Sequence, residues 1–272
     1  MKALFDIGNS RIKWAWFDQN QKQFEAQLDL HDIGGADHAE LSFEEMAAVN
    51  WSDWPQPEQV VVSSVGADEH WRQLQDWCLQ HWRQMPVRII SPAKGCGVQN
   101  AYERPEELGS DRWAALVGAH HLLHADVCVV DCGTAITVDF LDARGQHLGG
   151  YIVPGFQLMR QSLIRGTDAI QAPAWPVGAG EKTKISSQPG TSTAECIENG
   201  IMMAIAGLIE NACKKMQMRT RLSFRCLLTG GNAQWLAGCL AKDLQLESNL
   251  VLLGLSQIAR KNCGLNSTCR DN

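Results

Sequence analysis

Short apolar runs alternate with amphipathic segments along the first half of the chain. Period-two alternation over 12–16 predicts a strand, and apolar residues at helical spacing, as at Trp71, Leu74 and Trp77, predict a helix packed on a core. The predicted strands are 2–8, 11–18, 23–30, 59–65 and 87–90. The predicted helices are 42–49, 68–82 and 105–123, with a loop over 92–104.

The second half of the chain restarts the same order of elements. Predicted strands lie at 127–131, 136–141, 147–153 and 222–228, and 171–191 is a Pro- and Gly-rich loop. Predicted helices begin near 156 and cover 193–217, 232–240 and 249–262. Strands followed by alternating helices and strands, twice over, predict an α/β protein of two related lobes, 1–120 and 121–272.

One short loop sequence occurs in both halves. Asp6-Ile7-Gly8-Asn9 and Asp131-Cys132-Gly133-Thr134 each follow an apolar strand and precede a second one. A single copy is weak, since a hairpin with a Gly turn has the same pattern. Two copies in matching contexts favour two phosphate-binding loops, which one nucleotide triphosphate held between like lobes would use together.

The residue types in the loop suit phosphate chemistry. Glycine lets the backbone turn sharply and approach a phosphate, and exposed N–H groups with the Asn9, Ser10 or Thr134 side chains donate to its oxygens. The Asp cannot do so, because two anions repel. Asp6 and Asp131 are therefore expected to bind a cation, or water on a cation, that neutralises phosphate charge.

Charge and composition exclude several classes of protein. The 272 residues are 45% hydrophobic and 20% charged, with a net charge of −6 and a pI near 5.7. There is no basic run for nucleic acid, and apolar stretches such as 201–209 are too short to span a bilayer. No signal peptide precedes the first strand, and the ten cysteines form no CxxC. We therefore expect a cytoplasmic protein with reduced thiols, mostly packed in its core.

Four further segments admit two readings each. Asp111 and Arg112, before a run of small apolar residues, are either a structural ion pair or a functional acid and base. Segments 149–155 and 229–232 either bring main chain close to a ligand or are plain turns. Thr193 follows Thr191 and Ser192, which either cap the next helix or also touch a ligand.

Taken in order, these segments resemble the type III pantothenate kinases over residues 6 to about 255. The departures are small: Ser10 stands for the commoner Thr, Ser192 for Asn and Cys196 for Ala. The segments that carry the resemblance are Asp6-x-Gly8-Asn9-Ser10-x-x-Lys13, Tyr102-x-x-Pro105, Gly109-x-Asp111-Arg112, Asp131-x-Gly133-Thr134-Ala135, Gly150-x-Ile152-x-Pro154-Gly155, Thr193-x-x-Cys196-Ile197-x-x-Gly200 and Thr229-Gly230-Gly231.

The resemblance implies a fold, an activity and partners. The fold would be that of actin, hexokinase and Hsp70, with two ribonuclease-H-like lobes and a nucleotide cleft between them. The activity would be ATP-dependent phosphorylation of pantothenate to 4′-phosphopantothenate, the first step of coenzyme A synthesis. The family also implies Mg²⁺ with the ATP, a monovalent cation (K⁺ or NH₄⁺) and a homodimer.

The resemblance also implies a role for each candidate residue. Asp111 would be the general base, Asp131 the monovalent-cation ligand and Asp6 the residue that faces Mg²⁺ on the phosphates. The residues that would bind ATP are Asp6, Ile7, Gly8, Asn9, Ser10, Arg11, Ile12, Lys13 and Thr134. Those that would bind pantothenate are Tyr102, Gly109, Ser110, Asp111, Arg112 and Thr193.

Two alternatives stay open at this point. A sibling kinase of the same fold could act on another small hydroxyl compound, although the Tyr102 and Asp111-Arg112 segments argue against it. A non-catalytic accessory regulator descended from the kinase is the other. It would be expected to have lost Asp6, Asp111 or Asp131, and all three are present.

Overall fold

A computed structural model describes residues 1–18, 30–165, 188–240 and 244–265. Contacts between residues divide the chain into two compact units. The first contains Met1–Ala125, Leu141–Gly149 and the chain from Asn249 onward, and the second contains Asp126–Phe140 and Gly150–Ser248. The units are thus discontinuous in sequence, unlike the two contiguous lobes predicted with a boundary at residue 120.

The first unit is built on a five-stranded sheet of order β3-β2-β1-β4-β5. β1 pairs antiparallel with β2 and parallel with β4. The strands are β1 Lys2–Ile7, β2 Arg11–Phe17, β3 Leu30–Asp37, β4 Gln59–Ser64 and β5 Val87–Arg88, and β6 Lys94–Gly95 with β7 Val98–Gln99 form a separate hairpin. The helices are α1 Phe43–Trp51, α2 Asp68–Trp82, α3 Ser110–Leu123 and, near the end of the chain, α7 Leu250–Lys261.

The second sheet repeats the strand order of the first. Its order is β10-β9-β8-β11-β12, and β8 pairs parallel with β11 as β1 does with β4. The strands are β8 Val127–Cys132, β9 Ala135–Leu141, β10 His147–Pro154, β11 Arg225–Thr229 and β12 Leu244–Leu246. The helices are α4 Phe156–Arg165, α5 Thr193–Thr220 and α6 Ala233–Ala237. The prediction of an α/β protein with two related halves is confirmed.

Aromatic packing fills one face of the first sheet. The Phe5 ring lies edge-on to Trp51, 4.8 Å between centroids, and Trp77 packs edge-on against Trp82 at 4.6 Å. Trp71 is partly buried against this cluster. The tryptophans predicted to pack on the core along 68–82 therefore do so. Such edge-to-face pairs contribute beyond the area that they bury.

Two glycines allow α3 and α7 to cross at backbone contact. A Cβ on Gly118 would lie 2.6 Å from the Leu250 carbonyl oxygen, and one on Gly254 would overlap the Ala114 carbonyl. Helix α7 is buried along nearly its whole length. The C-terminal helix therefore belongs to the core of the first unit.

Several predicted boundaries differ from the structure. The third strand is Leu30–Asp37, whereas the predicted 23–30 lies outside the described residues except for Leu30. Its sequence is polar and Gly-rich and its burial is slight, so it carries no alternating pattern. The helix predicted from 105 begins at Ser110, because a 3₁₀ turn, Pro105–Glu107, and an extended Leu108 precede it.

One pair of cysteines contradicts the expectation of reduced thiols. Cys96 and Cys263 form a disulfide with Cα atoms 5.9 Å apart. They are separated by 167 residues in sequence, so no spacing motif marks the pair. Among the described residues, the cysteines at 78, 128, 132, 196, 213, 226 and 239 are free. Most of these are buried or half-buried, as expected of core thiols.

Replacing Gly254 with Ala should destabilise the protein although Ala is the better helix former. The new methyl group would overlap the α3 backbone, so the helices must separate, at an expected cost of about 3 kcal/mol. Urea unfolding measures this change. The matched control Ser256→Ala, on the same buried helix, should cost only about 1 kcal/mol. Equal stability of Gly254→Ala and the unsubstituted protein would contradict the close crossing.

Candidate active site

The first predicted phosphate loop is a tight turn between β1 and β2. The Gly8 N–H donates to the Arg11 carbonyl at 2.9 Å and closes the turn, which leaves Asn9 and Ser10 exposed at its tip. Asp6 and Lys13 are register partners on the two strands, and both are half-buried. The loop thus combines a glycine turn, two exposed polar side chains and one charge of each sign.

Three other residues of this loop that were predicted to bind ATP have side chains that contact other parts of the first unit. The side chains of Ile7 and Ile12 are fully buried in the core cluster, so each offers only main chain to a ligand. Arg11 turns to β3, where its Nη2 donates to the Gly35 carbonyl at 3.3 Å and its Nε lies 3.8 Å from Asp37.

Gly66 and His38 contact the backbone of the first phosphate loop, and the sequence patterns predicted neither contact. Gly66 follows β4, and a Cβ there would lie 2.5 Å from the Gly8 carbonyl oxygen. The His38 Nε2–H donates to the same oxygen at 3.1 Å, and its ring stacks on His70 at 3.7 Å. Burial lowers the pKa of His38, which keeps the ring neutral near pH 7. Neither residue lies in a motif that could have revealed it.

Hydrogen bonds to β4 tie the start of α3 to the same edge of the sheet. Ser110 Oγ lies 3.1 Å from Ser63 Oγ and accepts from the Ser64 N–H at 3.2 Å. Ser63 and Ser64 are the parallel-register partners of Asp6 and Ile7. The helix that begins with Ser110 and Asp111 therefore starts beside the end of the strand that carries Asp6.

Asp111 sits in the first turn of α3 and folds back over Gly109. Its Oδ1 accepts from the Arg112 N–H at 2.7 Å. A Cβ on Gly109 would lie 2.6 Å from that oxygen, so a larger residue would displace the carboxylate. Asp111 is half-buried. A carboxylate at a helix N-terminus is stabilised by the unpaired N–H groups there.

Arg112 is buried and held by Tyr102. Its Nη1 donates to the Tyr102 hydroxyl at 2.8 Å, and its guanidinium lies over that ring at 5.6 Å. The His147 ring is stacked with Tyr102, with 6.1 Å between the ring centroids. His147 is buried, and its Nδ1 accepts from the Ala101 N–H at 3.4 Å. His147 lies two residues before the Gly-rich segment 149–155 and outside it, so no sequence motif indicated its contact with Tyr102.

The second predicted phosphate loop lies between β8 and β9. The Gly133 N–H donates to the Ala135 carbonyl at 3.1 Å, and Asp131 and Thr134 are half-buried. Gly155 packs on the Gly133 and Thr134 carbonyls and donates its N–H to Thr134 at 2.9 Å. The segment 149–155 thus brings its main chain to this loop.

The Gly-rich turn after β11 also packs against the second phosphate loop. Gly230, with φ of +89°, lies against the Asp131 carboxylate and the Cys132 backbone, and Asn232 N–H donates to the Cys132 carbonyl at 3.1 Å. Gly66 and Gly230 each follow the parallel neighbour of a loop-bearing strand, but at different registers. Gly66 lies three residues after the register partner of Asp6, and Gly230 lies one residue after that of Asp131.

The helix-cap reading is confirmed for Ser192. Its Oγ accepts from the Glu195 N–H at 3.3 Å, and Thr191 donates its N–H and hydroxyl to the Glu195 carboxylate. Thr193 is the first residue of α5 and is exposed. Its side chain is therefore available to a ligand or a second chain.

The donor set fits hard cations at both loops. Half-buried carboxylates at Asp6 and Asp131 supply the oxygen ligands that Mg²⁺ and alkali ions prefer.

None of the described helices is long and apolar enough to cross a membrane.

Comparison with known proteins matches these features to one family. The family model described as type III pantothenate kinase matches residues 3–215. The type III pantothenate kinases of Nitrosococcus oceani and Chromobacterium violaceum are 31% and 37% identical to this chain. The alignments cover 96% and 95% of this chain and 94% and 99% of the relatives.

Solved structures agree with the fold. The activator of 2-hydroxyisocaproyl-CoA dehydratase from Clostridium difficile superposes with a TM-score of 0.53 at 13% identity, covering 96% of this chain and 94% of that one. At this identity the likeness shows the fold alone, the two-sheet α/β fold of sugar kinases and actin-like ATPases. With the matched family model and relatives along nearly its full length, the chain belongs to the type III pantothenate kinase family.

Proposed function

We propose that this chain transfers the γ-phosphate of ATP to the primary hydroxyl of pantothenate, with Asp111 as the general base. One observation carries this assignment. Ser110 ties the first turn of α3 to β4 beside the strand of Asp6, which brings a carboxylate to the edge of the sheet where the first phosphate loop lies. A base and a phosphate-binding loop at one edge are what phosphoryl transfer to an alcohol needs.

Asp111 takes the proton of the attacking hydroxyl as its oxygen bonds to the γ-phosphorus and the bond from that phosphorus to the bridging oxygen breaks, which releases ADP. Its carboxylate is held by the Arg112 N–H and fits over Gly109, so little rearrangement is needed when substrate binds. Positioning and charge neutralisation supply most of the rate enhancement in such reactions.

The Arg112–Tyr102 pair is proposed to bind the pantothenate carboxylate. Arg112 is buried and its planar guanidinium is already oriented by the Tyr102 hydroxyl and ring. A fixed guanidinium suits bidentate binding of a carboxylate. Stacking with His147 also holds the Tyr102 ring in place.

The two loops are proposed to bind ATP and its cations. The N–H groups of Gly8 to Ser10 with Lys13 contact phosphates, and Thr134 donates its hydroxyl. Asp6 faces Mg²⁺ on the phosphates, and Asp131 binds K⁺ or NH₄⁺. Mg²⁺ neutralises charge that develops on the transferred phosphoryl group. Ile7, Arg11 and Ile12 contribute at most main chain, given where their side chains lie.

A homodimer is proposed to form along α5. The small residues Cys196, Gly200, Ala204 and Gly207 are all exposed, and an added Cβ at either glycine meets nothing within 4 Å. Met203 beside them is 55% exposed. Small residues on an exposed helix face let a second helix approach closely. Thr193, at the start of this face, would then reach the substrate of the neighbouring subunit.

A cytoplasmic location is also proposed. The free thiols among the described cysteines support it, because reducing compartments keep thiols unpaired. The Cys96–Cys263 disulfide is the observation against it. Alkylation of these two residues in intact cells distinguishes the locations.

The two alternatives make different predictions in one assay. A sibling kinase would consume ATP with another hydroxyl compound and not with pantothenate, which a substrate panel detects. A non-catalytic regulator would bind ATP and consume none with any acceptor. The retained Asp6, Asp111 and Asp131 speak against the regulator.

Replacing Asp111 with Asn should preserve folding and ATP binding and lower kcat by about 10²–10⁴-fold, because the general base is lost. Pantothenate-dependent ATP consumption measures this, and the unsubstituted protein should consume ATP only with pantothenate present. Glu107→Gln, an exposed carboxylate on the preceding turn, is the control and should keep full activity. A kcat within a few-fold for Asp111→Asn would rule out this role.

Replacing Asp131 with Ala should abolish the response to K⁺ and lower turnover by about 100-fold or more, because the loop then lacks the cation that offsets its phosphate charge. The measurement is ATP consumption in K⁺ and then in Na⁺. Asp142→Asn, in the β9–β10 turn, should keep the K⁺ response. A variant at Asp131 that stays active and still responds to K⁺ would show that this carboxylate is not the ligand.

Mixing two inactive variants tests whether Thr193 acts across the dimer. In a heterodimer of Asp111→Asn and Thr193→Arg, one site carries both lesions and the other carries neither. About half of the heterodimer sites should therefore be active, and activity should return on subunit exchange. Each variant mixed with itself is the control. No recovery, with exchange demonstrated by mass, would place Thr193 in its own subunit or outside the site.

A further inference from the structure

Three cysteines from three elements meet in the second unit, away from the phosphate loop. Cys128 of β8 and Cys226 of β11 are parallel-register partners, and Cys213 comes from α5. Their sulfur atoms all lie within 4.8 Å of one another. Within the described part of the chain this is the one group of three or more His, Cys, Asp or Glu side chains close enough to share an ion.

The arrangement differs from that of the other free thiols. An isolated buried cysteine fills space like a small hydrophobic residue. Cys78, for example, is buried in the aromatic core of the first unit. Here three sulfurs that are far apart in sequence point at one place. Cys128 is buried, and Cys213 and Cys226 are half-buried, so an ion can reach the group from one side.

The spacing suits a thiolate-bound metal. An ion that bonds three coplanar sulfurs at about 2.3 Å holds them about 4.0 Å apart. Sulfurs already within 4.8 Å of one another reach this by small side-chain adjustments.

The ligand type and number select the metal. Thiolates prefer soft cations such as Cu⁺ and Zn²⁺, whereas Mg²⁺ and K⁺ prefer the oxygens of Asp6 and Asp131. Structural Zn²⁺ takes four ligands almost always, and no fourth Cys, His, Asp or Glu joins the group among the described residues. A three-coordinate site favours Cu⁺.

We propose that Cys128, Cys213 and Cys226 form a three-thiolate binding site for a soft d¹⁰ cation, with Cu⁺ as the preferred ion. On binding, three S–metal bonds form and each remaining thiol proton passes to solvent. The bound ion would join β8, β11 and α5. Asp131 lies three residues after Cys128 on β8, and Thr229 lies three residues after Cys226 on β11. The ion would therefore join the two strands that lead into the second phosphate loop and into the Gly-rich turn that packs against it.

Anaerobic titration of the reduced full-length protein with Cu⁺, against a chromophoric Cu⁺ chelator, tests this site. All proteins carry Cys96→Ser and Cys263→Ser, so that the thiols of that pair do not bind. We expect one Cu⁺ per chain, sulfur-to-copper charge-transfer absorption in the ultraviolet, a raised melting temperature and, by X-ray absorption, a first shell of three sulfurs.

Single substitutions identify the ligands. Cys213→Ser, at the partly exposed corner, should weaken Cu⁺ binding by at least about 100-fold, more than the loss of a supporting residue costs. Cys239→Ser, a half-buried thiol of the same unit, is the matched control and should bind as before. Circular dichroism shows whether each variant folds, and the X-ray absorption of the parent protein, in which Cys128, Cys213 and Cys226 are intact, tests the site without a substitution at any ligand.

Three outcomes overturn the proposal. The site does not exist if no ion survives the competing chelator, or if Cys213→Ser binds Cu⁺ as tightly as the control. Zn²⁺ binding that outcompetes Cu⁺, with a fourth ligand in its first shell, overturns the three-coordinate assignment. One Cu⁺ on three sulfurs, lost with Cys213, supports it.

Discussion

The parallel pairing of β1 with β4, repeated as β8 with β11, is the constraint on which both candidate loops depend. It aligns the ends of two strands at one edge of each sheet. At that edge the chain that leaves β1 or β8 turns through the phosphate loop. A glycine that follows the parallel neighbour, β4 or β11, packs against that loop. Because a glycine has no Cβ, the second strand can support the loop backbone at contact distance.

The same pairing positions groups that no short motif contains. Ser63 and Ser64 are ordinary strand residues, yet their register with Asp6 and Ile7 lets Ser110 carry the start of α3 to this edge. The Asp111 carboxylate then depends on the absence of a side chain at Gly109. The proposed base is thus held by a series of contacts that starts in the sheet, which explains why the small residues Gly109 and Ser110 precede it.

The two kinds of proposed cation site in this protein differ in the type of atom that would bind the ion. Asp6 and Asp131 lie at the two turns proposed to bind phosphate, where their carboxylates offer oxygen atoms to a cation. Cys128 and Cys226 lie three residues earlier on two strands of the second sheet, where Cys213 of α5 meets them and the donors are sulfur atoms. Hard ions are therefore expected at the carboxylates and soft ions at the thiolates, without competition for the same ligands.

Local patterns in the sequence determined the repeated Asp-x-Gly loops, most strands and helices, and the α/β class, because alternation and turn chemistry act over a few residues. They did not reveal β3, whose exposed polar sequence has no alternation, or the His38 and His147 contacts, the Cys96–Cys263 bond and the three-cysteine group. These join residues far apart in the chain. Only strand order, register and the packing of α3, α5 and α7 decide which of them meet, because such contacts follow from how elements pack and not from the order of residues within any one of them.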